Sequence, residues 1–157
     1  MICNTPHKSI NLSLLLSPDN QDFMIAKIVN EITFYLSNQA GALAKVTRAI
    51  AEADISIQGL LVSEGFGKSV VRVVVQPEKE NKALEVLAGM GIDDVTKTAV
   101  LEILLPSRVG ILAELSEKLG ASNINMENIY VTESTAGDTI CYVSVKDVDE
   151  ALELFQE

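Results

Sequence analysis

One stretch of this chain occurs twice, and that constrains the fold more than any local pattern does. Ser37-Asn38-Gln39-Ala40-Gly41-Ala42-Leu43 is a polar turn closed by a glycine between a β-like run and a helix-like run, and Ser107-Arg108-Val109-Gly110-Ile111-Leu112 has the same character. The offset that carries Gly41 onto Gly110 also carries Leu43 onto Leu112, Ala44 onto Ala113, Ile50 onto Leu119, Ile55 onto Ile124, Val62 onto Val131 and Glu64 onto Glu133. Two stretches must then read the same way, so the chain is one small unit written twice.

The first copy opens with Ile32-Thr33-Phe34-Tyr35-Leu36, a short β-branched and aromatic run that suits a buried strand. After the turn, Leu43, Val46, Thr47 and Ile50 recur at helical spacing while Lys45, Arg48 and Glu52 take the other side. Strands are expected over Ile55 to Val62 and Val70 to Val75, joined through Glu64-Gly65-Phe66-Gly67-Lys68, with a helix from Pro77 whose buried face carries Ala83, Leu84, Val86 and Leu87. Gly89 and Gly91 stop that helix, and Asp94 to Leu105 is a long β-capable join. The second copy repeats the order: a helix with Leu112, Leu115 and Leu119, strands from Ile124 to Thr132 and Ile140 to Val145 about a turn at Ala136-Gly137, and a helix with Val148, Ala151, Leu152 and Phe155.

The expected fold is therefore α+β: two ferredoxin-like βαββαβ units with antiparallel sheets and helices on one face, the second lacking a C-terminal fourth strand. The divisions are residues 1–29 as an N-terminal extension, 30–98 as the first unit and 99–157 as the second. An unfilled sheet edge leaves backbone groups unpaired. Ser9 to Ser17, with Ile10, Leu12, Leu14 and Leu16 alternating, is one candidate to fill it, in the same chain or a partner. A second possibility is that Met24 is the natural start.

Composition narrows the function. With 12 basic against 22 acidic residues the net charge is -10, which repels phosphate backbones and anionic lipid surfaces and argues against nucleic acid and membrane partners. No apolar run approaches the ~20 residues of a membrane span, and no secretory signal is present, so a cytoplasmic location is expected. Cys3 and Cys141 are far apart without metal-binding spacing, and His7 is the single histidine, which leaves no metal site, no cofactor and no nucleophile-base pair to suggest an enzyme. Glu78, Glu80 and Glu85, like Asp147, Asp149 and Glu150, read as solvated helix charge, Tyr130 and Tyr142 as core or interface.

A strand turning straight into a helix gathers N–H groups and the positive end of the helix dipole at one point, which favours a carboxylate. Ser37 and Asn38 offer donors and acceptors for an α-ammonium and α-carboxylate, and Arg108 could pair with a carboxylate in the second copy. The alternative is that both glycines serve only a tight turn.

The repeats resemble ACT domains, small modules that bind amino acids. The resemblance rests on Ile32 to Ser37, Asn38 to Gly41 with Ala42-Leu43, and Ala53-Asp54-Ile55-Ser56-Ile57. It rests equally on Val109-Gly110-Ile111-Leu112 and Ser122-Asn123-Ile124-Asn125-Met126-Glu127-Asn128-Ile129-Tyr130 in the second copy. The proline common before the glycine is replaced by Ala40 and Val109. The resemblance implies a non-catalytic, allosteric regulatory protein whose amino-acid ligand sits at the strand-to-helix loop, against the second strand of a neighbouring unit, in a homodimer. It nominates Ser37, Asn38, Gln39, Ala40, Gly41, Ala42 and Leu43, and then Ser107, Arg108, Val109, Gly110, Ile111 and Leu112. Two alternatives stay open: a regulatory subunit of a biosynthetic enzyme, similar to the small subunit of acetolactate synthase, and an assembly module without ligand.

Overall fold

The computed structural model describes residues 24–65, 67–133 and 138–156. Cys3, His7, the proposed Ser9 to Ser17 strand, Phe66 and the Ala136-Gly137 turn lie outside them. In order come β1 (Ile25–Ser37), α1 (Ala42–Glu52), β2 (Ile57–Gly65), β3 (Lys68–Val75), a 3-10 turn at Pro77–Lys79, α2 (Glu80–Gly89), β4 (Val95–Leu105), α3 (Ile111–Ala121), β5 (Met126–Glu133), β6 (Thr139–Val145) and α4 (Val148–Glu153). The six strands form one antiparallel sheet in the order β2-β3-β1-β4-β6-β5.

Helices occupy one face of that sheet. Val46 and Ile50 of α1 and Ala83 and Leu87 of α2 pack with Ile32, Phe34, Val71, Val73 and Val75 in a first core, and Leu115, Leu119 and Ala151 pack with Leu101, Ile103, Leu105, Cys141, Val143 and Val145 in a second. Alternation along β4 assigns the face: Val95 packs against the first core and Leu101, Ile103 and Leu105 lie in the second, so its odd residues all point toward helices. The repeat extends to the helix ends. Among the described residues Asp54 and Asn123, one offset apart, are the two non-glycine residues in the left-handed region, each at φ 59°. Beside them the Ile55 and Ile124 amides donate back to Ile50 and Leu119 at 3.2 and 2.9 Å, closing α1 and α3 in the same way.

The unfilled edge of the second unit is supplied by a segment that the sequence reading had placed in the extension. Ile25 to Leu36 runs as one strand, but its first part pairs only with β4, Ile25 opposite Leu104 through Asn30 opposite Ala99, and Met24 and Ala26 pack against the second core. From Glu31 onward β1 also pairs with β3 and its side chains enter the first core. Ile25–Asn30 is thus the fourth strand of the second unit, in the place proposed for Ser9 to Ser17. β4 does the reciprocal service, closing the first unit with Val95 and opening the second with Leu101 to Leu105.

The helix-free face folds over on itself. β2 and β6 are separated by three strands in the sheet, yet a Cβ on Gly59 of β2 would lie 2.6 Å from the Tyr142 ring of β6. Val74, Val100 and Tyr142 are fully buried there although no helix covers them. Tyr130 stacks on Tyr142 with ring centroids 5.1 Å apart. Burial pushes both phenols well above their usual range, and pushes the Cys141 thiol up to about 12, so this thiol stays protonated and inert at neutral pH.

One charged residue departs from the sequence reading. Glu80 is buried, because Asn30 donates to both its carboxylate oxygens at 3.0 Å and Lys97 approaches at 3.3 Å. It ties the start of α2 to β1 and β4 and is not solvated helix charge.

Candidate functional site

Each nominated segment stays together on its own turn. Ser37 ends β1, Asn38, Gln39 and Ala40 form the bend, and Gly41 caps α1, in which Ala42 and Leu43 are the first residues. The bend is held by its own backbone: the Gln39 amide donates to Ser37 O at 2.8 Å, that of Ala42 to Gln39 O at 3.2 Å and that of Lys45 to Gly41 O at 3.2 Å. Gly41 sits at φ 85°, a conformation that a side chain strains, and the space where a Cβ would stand is open. No side chain caps the helix and its first turn carries no acidic residue, so the positive end of α1 meets no carboxylate of its own. The Ser69 hydroxyl donates to Asn38 Oδ1 at 3.5 Å, holding the bend to β3.

The second turn has the same backbone and different electrostatics. Gly110 caps α3 at φ 90°, again with open space at the missing Cβ, and the Arg108 amide donates to Pro106 O at 3.0 Å. Arg108 does not stand ready for an outside carboxylate, as the sequence suggested: its two terminal nitrogens donate to both oxygens of Glu114 at 2.6 Å. That pairing holds the Glu114 carboxyl below the usual carboxylate range. A lowered pKa means that the contact is fully made above the ordinary carboxylate pKa and is lost as pH falls through the lowered value. Both groups are substantially exposed, so the pair fixes geometry more than it adds stability.

Ser107, Arg108, Val109, Gly110, Ile111 and Leu112 line a concavity of about 520 Å³ together with Ala113, Val131 and Thr139. Val109 projects fully into solvent at its rim, while Ile111 turns inward to the second core. Val131 and Thr139 were not nominated from sequence. Val131 was legible as the repeat counterpart of Val62, and both, with Leu60 and Ile129, form exposed apolar pairs on the outer strands β2 and β5. Thr139 left no comparable signal. Among the described residues no group of three or more His, Cys, Asp and Glu side chains could hold a metal, and no helix is long and apolar enough to cross a membrane.

Comparison with known proteins matches this architecture. The family model for the ACT domain matches twice, at residues 30–90 and 99–157. A crystal structure of a Bacteroides thetaiotaomicron protein superposes with a TM-score of 0.72 at 24% identity, covering 82% of this chain and 87% of that one. The ligand-free regulatory subunit of aspartate kinase from Thermus thermophilus superposes with a TM-score of 0.63 at 17% identity, covering 84% and 93%. E. coli aspartokinase III in complex with lysine and aspartate gives a TM-score of 0.53 at 16% identity, covering 85% of this chain and 31% of that enzyme. Comparison with curated protein sequences gave no match.

Proposed function

The chain belongs to the ACT domain family, and from that membership we propose that it is a non-catalytic regulatory protein that binds an amino acid at its strand-to-helix turns. The observation that carries the reading is the turn itself, built twice. A left-handed glycine with no side chain opens each turn at an uncapped helix start. In the second copy the turn lies beside an exposed apolar strand residue. A ligand carboxylate is stabilised at the helix start, and an apolar side chain is sheltered by Val62 or Val131. The first turn is the better site because α1 has no acidic residue in its first turn and no side-chain cap, whereas α3 carries Glu114 there, already engaged by Arg108. A homodimer that sets the outer strand of one copy beside the turn of another completes the enclosure.

Thermal denaturation against each of the twenty amino acids tests this. Ligand at 100 times its dissociation constant adds about 2.7 kcal/mol, a rise in melting temperature of about 5–10 °C for a domain of this size. No shift with any amino acid at millimolar concentration overturns the reading. The near full-length likeness to an aspartate kinase regulatory subunit favours a second reading, a subunit of a larger biosynthetic enzyme. Such a subunit alters that enzyme's feedback inhibition when added to it, whereas a free sensor responds to the amino acid alone.

A further inference from the structure

We propose that Tyr130 and Arg72 clamp the buried carboxylate of Glu31, and that through this clamp a change at one turn is felt at the other. The proposal rests on the two turns being the working sites, although its test needs no ligand. Glu31 of β1 is only 2% exposed and faces the folded-over side of the sheet. The Tyr130 hydroxyl of β5 donates to its Oε2 at 2.9 Å, and Arg72 Nε of β3 lies 3.3 Å from its Oε1. Three strands from the two units thus meet at one carboxylate. Burying such a group costs desolvation that an apolar replacement avoids, so stability alone is a poor reason to place it there.

Its position supplies a better one. Tyr130 is followed on β5 by Val131, which lines the concavity at the second turn. The two residues are consecutive on β5 and face opposite sides of the sheet, so a ligand that shifts the strand backbone at Val131 shifts Tyr130 on the other face. Arg72 pairs in register with Leu61, the neighbour of Val62, and β1 runs from Glu31 directly to Ser37, where the first turn begins. Val74, Val100 and Tyr142 are buried on the same face, and close-packed interiors transmit strain.

Amide exchange in the first turn and the start of α1, Gln39 to Lys45, reads the coupling. Val131→Ala, made on β5 beside the second turn, changes exchange there by about threefold or more when Tyr130 is present. In Tyr130→Phe, which keeps the ring and its stack on Tyr142, the same substitution leaves those amides unchanged. Equal changes in both backgrounds, or none in either, overturn the proposal. If Tyr130→Phe does not fold, Glu31→Gln takes its place, with a reduced change expected. Loss of the fold in both variants also overturns it, because the clamp is then a structural requirement only. A failed amino-acid screen leaves this result intact, and the reverse holds as well.

Discussion

Gly41 and Gly59 lack a side chain for different reasons, and the difference is measurable. At Gly41 the backbone is left-handed and the space beyond it empty, so Gly41→Ala meets strain and no clash. The cost is about 1–2 kcal/mol. Gly59 lies against the buried Tyr142 ring, with 2.6 Å where its Cβ would stand, so Gly59→Ala must displace an aromatic ring held by Tyr130. Overpacking of this kind costs about 1–3 kcal/mol. A urea-denaturation double-mutant cycle separates the two. The penalty at residue 59 shrinks in a Tyr142→Leu background and that at residue 41 does not. An unchanged Gly59→Ala penalty in that background would place its cause in the backbone.

At the scale of elements, β1 runs across the boundary expected at residue 30, its first part pairing only with β4 and its second part also with β3. The turn and α1 were legible because the repeat states them twice, and β4 because it is a long β-capable stretch. The first half of β1 was not, since Lys27, Asn30 and Glu31 interrupt both strand and helix periodicity. Its pairing depends on β4, more than sixty residues away in the chain, and nothing local records that. The pairing of Arg108 with Glu114 was hidden for a similar reason, because it crosses the turn and is set by the backbone that Gly110 allows. The strand assignment has a direct consequence. A chain starting at Glu31 loses the backbone pairs from Ile25 to Asn30 and the Met24 and Ala26 contacts, and exposes one side of β4. At about 0.5–1.5 kcal/mol net per hydrogen bond, it is less stable by at least about 3 kcal/mol. Amide exchange in β4 from Ala99 to Leu104 then rises. Unaltered protection of β4 in the shortened chain would show that this strand needs no neighbour there.

For the whole molecule, the two repeats are one folding unit even though each has its own core. β1 and β4 each serve both halves, and the buried helix-free face is assembled from Val74 and Gly59 of the first unit, Tyr142 of the second and Val100 of the shared β4. Unfolding either half strips the other of a strand and opens that shared interior. Denaturation therefore follows a single transition, with a denaturant slope set by the surface of both units together. Leu87→Ala empties part of the first core and Leu115→Ala part of the second; both side chains are fully buried. Each lowers stability by about 2–5 kcal/mol, and each moves the one midpoint seen by circular dichroism and by tyrosine fluorescence alike. Were the repeats independent, Leu87→Ala would split the curve into two transitions and leave the second, reported by Tyr130 and Tyr142, where it stood. A single shifted transition from either core means that the two units, which share β1 and β4, unfold together.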